Sequence, residues 1–312
     1  MMGWTDRHAR YFLRLISKHT LLYTEMVTTG ALLNGESKRF LSYHQSENPL
    51  VLQLGGSDPV ALAQCTQMAE QFEYDEVNLN VGCPSDRVKS GQFGACLMAK
   101  PQLVADCVSA MQAKVDIPVT VKCRIGIDDL DDYAALKNFI SIVAESGCST
   151  FIVHARKAWL KGLSPKENRE VPPLKYDYVH RLKRECPELE IIINGGIKTL
   201  EHAKRQLIDV DGVMLGREAY HNPYILAPVD KEIYLDEQAV IKSRNLIVEE
   251  LIEYIDIQMS QGTSLHSISR HILGLFQGCR GAKAWRRYLS ENSHKEDAGS
   301  SVVKAALSKI MD

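Results

Sequence analysis

The chain has 312 residues, 45% of them hydrophobic and 24% charged, with a formal net charge of -2. That is enough chain for one barrel-sized domain plus a smaller one. The balance excludes a globally basic nucleic-acid binder, so any RNA binding would rest on a local basic face. No apolar run reaches about 18 residues, and no membrane span is expected. Met1-Met2-Gly3-Trp4 leads straight into a polar, helix-like segment without a signal-peptide pattern. The eight cysteines (65, 83, 96, 107, 123, 148, 186, 279) are scattered, with no CxxC and no Cys/His pair at zinc-ligand spacing. Reduced thiols, a cytoplasmic setting and no metal are expected.

Taken in order, Thr5 or Asp6 caps a first helix whose apolar face is Tyr11, Phe12, Leu15 and Ile16. Residues 21–26 read as a strand and residues 49–54 as another, ending in Gln53 and Gly55-Gly56. A helix over 59–72 follows. Then Val77, Leu79 and Val81 alternate with Asn78 and Asn80, the period-2 pattern of a strand. That strand runs into Gly82-Cys83-Pro84-Ser85, where Pro84 cannot donate a ladder hydrogen bond and the chain turns. The spacing then predicts a helix over 101–113, a strand over 118–125 carrying Lys122 and Arg124, and a helix over 131–146. A strand over 150–155 ends in His154 and is followed by a long polar loop, 157–173. Further on are a helix over 176–185, a strand over 190–196, a helix over 199–206 and a strand over 212–216 leading to Arg217.

Strand and helix alternate throughout, and the strands are rich in Val, Ile and Leu, as parallel strands buried on both faces are. Polar residues recur at carboxyl ends: Gln53, Asn80, Lys122, His154 and Asn194, with Gly216 after the last strand. A doubly wound sheet binds mainly at one switch point, whereas a (β/α)8 TIM barrel builds its site from every strand end, so the barrel is expected. Seven strands are counted, and the missing first strand would precede Met1. Beyond Pro228 strands give way to apolar helical periodicity over 240–259 and 265–276. The expected division is a catalytic barrel over residues 1–230 and a helical domain over 231–312.

Cys83 lies at the carboxyl end of a strand, beside a loop containing Gly91 and Gly94. It reads either as a ligand-facing thiol or as a small buried hydrophobe, and the flanking Asn, Gly and Pro favour the first. Asn194-Gly195-Gly196 and Gly216-Arg217 follow consecutive late strands, the pattern of a phosphate site. Lys122, in an otherwise apolar strand, needs a partner: a neighbouring carboxylate or an anionic ligand. His154 stands equally between a satisfied core histidine and a ligand contact. Cys96 and Cys123 read as structural. The basic run Lys283 to Arg287 is either a solvated helix face or, with Lys166 and Arg169, a phosphate-contacting surface.

The motifs Trp4-Thr5-Asp6-Arg7-His8, Tyr23 to Thr28, Asn80 to Ser85, Val121 to Gly126, His154-Ala155-Arg156, Asn194 to Ile197 and Leu215-Gly216-Arg217 together resemble the tRNA-dihydrouridine synthases, A subfamily. The resemblance covers essentially the whole chain. It implies an FMN-dependent enzyme, with NADPH or NADH as electron donor, that reduces the C5–C6 bond of uridines 20 and 20a in the tRNA D loop. It makes Cys83 the proton donor to C5. It makes Met1, Met2, Gln53, Lys122, His154, Asn194, Gly195, Gly196, Gly216 and Arg217 flavin contacts. It makes Asn80 and Arg124 contacts to the flipped uracil, and Lys166, Arg169, Lys283 and Arg286 contacts to the tRNA, the last two on a looser alignment. The partners implied are tRNA and a nicotinamide dinucleotide, with a monomer expected. Hydride addition to C6 builds negative charge on the uracil, which donors such as Asn80, Arg124 and Lys122 would stabilise. A D-loop base is cheaper to extrude than a duplex one. Family members open on a strand ending Ala-Pro-Met-Met-Asp. Here only Met1 and Met2 match, with Gly3 in place of the Asp, so weak FMN binding or poor folding is expected of the chain as written. Two other readings are an FMN oxidoreductase of the dihydroorotate-dehydrogenase type and a tRNA-binding protein without catalysis.

Overall fold

The seven expected strands are all present in the computed structural model, which describes residues 1–85, 88 and 90–310. They are β1 (Leu22–Thr28), β2 (Leu50–Gly55), β3 (Glu76–Val81), β4 (Val119–Arg124), β5 (Thr150–His154), β6 (Glu190–Asn194) and β7 (Gly212–Met214), hydrogen-bonded in that order. From β2 to β7 every pairing is parallel, with Gln53 opposite Asn78, Asn80 opposite Lys122, Arg124 opposite His154 and His154 opposite Asn194. The result is a curled parallel α/β sheet of TIM-barrel type, with the polar strand ends in adjacent register positions.

Sequence chemistry sets the crossovers. In β3, Val77, Leu79 and Val81 are wholly buried, and their alternation leaves Glu76, Asn78 and Asn80 on the opposite face. Helix α1 spans Pro59–Gln71; Asp58 caps it by accepting from the Val60 and Ala61 amides, and Pro59 fits its first turn. Helix α2 spans Pro101–Gln112, packs beside α1 and buries Val104, Cys107, Val108 and Met111. Helix α3 (Tyr133–Glu145) starts at the cap Asp132, whose side chain accepts from Ala135 N–H. Helices Tyr176–Glu185 and Leu200–Gln206 complete the later crossovers.

The chain forms two compact units. One comprises Tyr23–Ser42 and Asn48–Leu215 and holds the sheet. The other comprises Met1–Leu22, Tyr43–Glu47 and the chain from Gly216 on. The sequence reading places the boundary at residue 231; in the fold, the first helix (Arg7–Ile16) and residues 216–230 group with the C-terminal helices. The reasons are polar. Asp6 caps the first helix and also accepts from Arg270 and from His271 Nε2, the latter at 3.0 Å. Burial opposes ionisation there, but His271 and Arg270 hold the Asp6 carboxyl well below the usual carboxylate range. Arg10 Nε donates to the fully buried Glu47 at 2.6 Å, tying the 43–47 segment to the same unit.

The helical periodicity is realised as Arg244–Ser260, Leu265–Ser269, Ala282–Asn292 and Ser300–Leu307. Over 265–276 the helix stops at Ser269, although the apolar spacing continues. There His271, Ile272 and Leu275 donate to carbonyls three residues back, and Ile272 O also accepts from Trp285 Nε1 at 3.2 Å. Ile272, Leu275 and Phe276 are still buried, with Phe276 edge-on to Trp285. Among the described residues no helix is long and apolar enough to cross a membrane, and all eight cysteines are free thiols.

Candidate active site

The sheet unit brings most of the expected site residues to one end of the strands. The turn after β3 is held from three directions. Asn80 Oδ1 accepts from the Gly82 and Cys83 amides at 3.1 and 2.9 Å. Arg124 Nε donates to Gly82 O at 2.8 Å. Cys83 O accepts from the Ala95 amide at 2.9 Å. Cys83 is half-buried, and its thiol donates to Ser85 Oγ at 3.5 Å. This is a thiol on a braced turn, not one packed in the apolar core. By contrast Cys123 is fully buried on the other face of β4, and Cys96 donates to Phe93 O at 3.2 Å.

Beside the turn, Lys122 Nζ donates to Asn194 Oδ1 at 3.2 Å, and Asn194 Nδ2 donates to Met214 O at 2.8 Å. Among the described residues no carboxylate pairs with Lys122. Burial, and then the neighbouring Arg124 guanidinium, push the lysine down to about 8. A lysine in that position is short of an anion. His154 lies against Gly195, whose φ is +120° and where a Cβ would meet the imidazole at 2.7 Å, so only glycine fits. Tyr176 donates to Gly195 O at 2.6 Å and fixes the same turn. A buried ammonium, an imidazole, amides from Gln53, Asn80 and Asn194, and a side-chain-free glycine turn form a donor set for an anionic, oxygen-rich ligand. These residues fit a flavin mononucleotide.

Arg124 is buried and donates through Nη1 to Lys157 O and Asn168 O, both at 3.0 Å. Burial pushes its guanidinium down to about 10. Asn168, which sequence reasoning missed inside a polar loop, is wholly buried. It accepts from Trp159 N at 2.7 Å and donates to Trp159 O at 2.9 Å, with the Leu163 and Ser164 carbonyls also in reach. It thereby shapes the loop that presents exposed Lys166 and half-buried Arg169.

The remaining expected residues lie in the other unit. Met1 and Met2 are exposed, and the Met1 sulfur lies 3.7 Å from where a Cβ on Gly216 would sit. Gly216 precedes the short helix Arg217–His221. Lys283 is exposed on Ala282–Asn292, and Arg286 donates to Gln277 Oε1 at 3.3 Å.

Parallel strands with polar carboxyl ends around a half-buried thiol are the architecture of a barrel-type enzyme. A family model described as dihydrouridine synthase (Dus) matches residues 1–311. A tRNA-dihydrouridine(20/20a) synthase of Shewanella oneidensis is 60% identical over 310 residues, covering 99% of this chain and 92% of that one. Its namesake in Vibrio parahaemolyticus is 59% identical over 311 residues, covering 99% and 95%. That of Escherichia coli K12 is 59% identical over 319 residues, covering 100% and 90%. The chain belongs to the dihydrouridine synthase family and is an oxidoreductase. Among solved structures, a 2-naphthoyl-CoA reductase complex superposes with a TM-score of 0.53 at 9% identity, over 73% of this chain and 47% of that one. That likeness concerns the fold alone.

Proposed function

We propose that this protein reduces the C5–C6 double bond of uridines in the tRNA D loop, at positions 20 and 20a, with FMN as its resident cofactor and NADPH or NADH as electron donor. The relatives' shared name supports the substrate. The observation that carries the chemistry is the braced Cys83 turn beside a lysine that has an amide, but no carboxylate among the described residues, for a partner.

When bound and reduced, FMN supplies the hydride that adds to C6. The chain's own residues do the rest. Lys122, His154 and the Asn194 to Gly196 turn hold the anionic parts of the cofactor, together with Gln53. Asn80 and Arg124 receive the uracil: three bonds of Arg124 go to backbone carbonyls, and Nη2 keeps its two N–H groups without a hydrogen bond among the described residues. Negative charge that develops on the ring meets these donors. Cys83 gives its proton to C5, and the thiolate left behind is reprotonated from solvent. Lys166 and Arg169 in the loop, and Lys283 and Arg286 on the helical segment from residue 231, contact tRNA phosphates.

The test combines two readings on purified protein. Its visible spectrum should show flavin binding once FMN is supplied. Digested tRNA incubated with it and NADPH should contain uridine heavier by two hydrogens. Flavin without product would leave a reductase acting on another ring, and the absence of both would overturn the proposal.

A further inference from the structure

The interior of the sheet unit carries one continuous line of hydrogen bonds from the amino end of β3 to the Cys83 turn. The Cys83 amide donates to Asn80 Oδ1 at 2.9 Å. Asn80 Nδ2 donates to Gln53 Oε1 at 2.9 Å. Gln53 Nε2 donates to Asn78 Oδ1 at 3.0 Å. Asn78 Nδ2 donates to Thr120 Oγ1 at 2.9 Å, and the Thr120 hydroxyl donates to Glu76 Oε1. Tyr23 of β1 donates to the same oxygen at 3.3 Å, and Glu190 of β6 is the carboxylate whose charge acts on Glu76. Barrel interiors are ordinarily filled by branched apolar side chains. Here four strands commit polar ones to a single path.

Every donor in the line points the same way, and that sense matters. Each of the three amides could be rotated by half a turn, exchanging donor and acceptor. If the whole line reversed, Thr120 would donate to Asn78, Asn78 to Gln53 and Gln53 to Asn80. The Asn80 amino group would then face the Gly82 and Cys83 N–H groups, donor against donor. The two ends select the working sense together: the turn demands an acceptor, and Glu76 accepts what Thr120 gives.

We propose that Glu76 is a positioning residue, whose carboxylate oxygen terminates this line and so fixes the orientation of Asn78, Gln53 and Asn80 and the hold on the Cys83 turn. The proposal rests on the reading of Cys83 as the proton donor only for its catalytic consequence; the structural coupling stands without it. In that reading, the same sense leaves Gln53 and Asn80 each with a second N–H to offer to ligand.

The test is site-resolved hydrogen exchange on the full chain, which needs neither tRNA nor flavin. Glu76→Leu removes the terminal acceptor, and Thr120→Val cuts the line one step along while leaving Glu76 in place. Both should speed exchange of the Gly82 and Cys83 amides by about tenfold, the worth of one hydrogen bond, with the central amides of β5 and β6 unchanged. Glu76→Gln, which keeps an oxygen acceptor, should stay within about threefold of wild type. Turn amides unaffected in both Glu76→Leu and Thr120→Val would overturn the proposal. So would a loss of protection spread evenly over all strands, or Gln behaving as Leu does. In parallel, dihydrouridine formation by wild type tests the functional reading. If wild type is active, Glu76→Leu and Thr120→Val should lower kcat by about tenfold or more, as misplacement of a reacting group does. Wild type inactive on tRNA with the turn effect intact would sink the functional reading and leave the positioning role.

Discussion

Glu76 is a carboxylate that burial pushes up to about 7, with the hydrogen bonds from Thr120 and Tyr23 opposing and Glu190 adding to the rise. The unfolded value lies near 4.5. As pH rises from about 4.5 to about 7, the unfolded chain has already lost a proton that the folded chain keeps, so stability falls across that window. His8, pushed down to about 4 by burial, works in the opposite sense: its contribution is full above about 6.5 and lost as pH falls toward 4. Glu76→Gln should therefore gain on wild type in thermal midpoint between pH 5 and 7, a comparison that scanning calorimetry at several pH values decides. Lys122 gives a second residue-scale prediction. A buried ammonium without a carboxylate among the described residues costs stability in the absence of ligand. Lys122→Met should leave the flavin-free protein as stable as wild type or more so, while weakening FMN retention by about tenfold or more, in line with a missing charge-assisted hydrogen bond of about 1.5–3 kcal/mol. Equal flavin content in the two purified proteins would remove Lys122 from the cofactor site. Lys122 was visible in the sequence because a cation interrupts an apolar strand. Glu76 and Thr120 were not, since a Glu at the first residue of a strand and a Thr within one draw no notice until the alternation of β3 is read together with what lies opposite it.

At the scale of elements, the turn after β3 depends on a close approach. Gly94 has φ +70°, and a Cβ there would meet Val88 Cγ1 and, at 2.6 Å, the Cys83 carbonyl. Gly94→Ala should cost about 1–3 kcal/mol through backbone strain and displace the thiol. Denaturant titration and the alkylation rate of Cys83 by mass spectrometry measure the two effects; an unstrained variant with unchanged Cys83 reactivity would show that the turn is set elsewhere. Most of the seven strands were legible because runs rich in Val, Ile and Leu end in polar residues, as in Leu50–Gly55, Val119–Arg124, Thr150–His154 and Glu190–Asn194. Helix limits at Pro59 and Pro101 were legible from the prolines of their first turns. The end of the helix at Ser269 was not, because Ile272, Leu275 and Phe276 keep helical spacing while Trp285 claims the Ile272 carbonyl. Nor was the buried Asn168, since polar loops are expected to face water and this one closes on a single side chain.

For the whole molecule, a net charge of -2 leaves RNA affinity to local cations. Replacing Lys166, Arg169, Lys283 or Arg286 by Ala should weaken tRNA binding and lower the salt dependence by about 0.7–0.9 for each phosphate no longer neutralised. Binding measured across salt concentrations tests each side chain separately, and an unchanged slope removes that residue from the interface. The division into units was only partly visible in the sequence. Nothing in the composition of residues 1–22 says that Asp6 is claimed by Arg270 and His271. The central claim is that this chain makes dihydrouridine with Cys83 as the acid, and it is tested most directly by comparing wild type with Cys83→Ala on one tRNA. The account predicts dihydrouridine at positions 20 and 20a with wild type, and none with Cys83→Ala at nearly unchanged tRNA affinity. Modification by Cys83→Ala at the wild-type rate would contradict it.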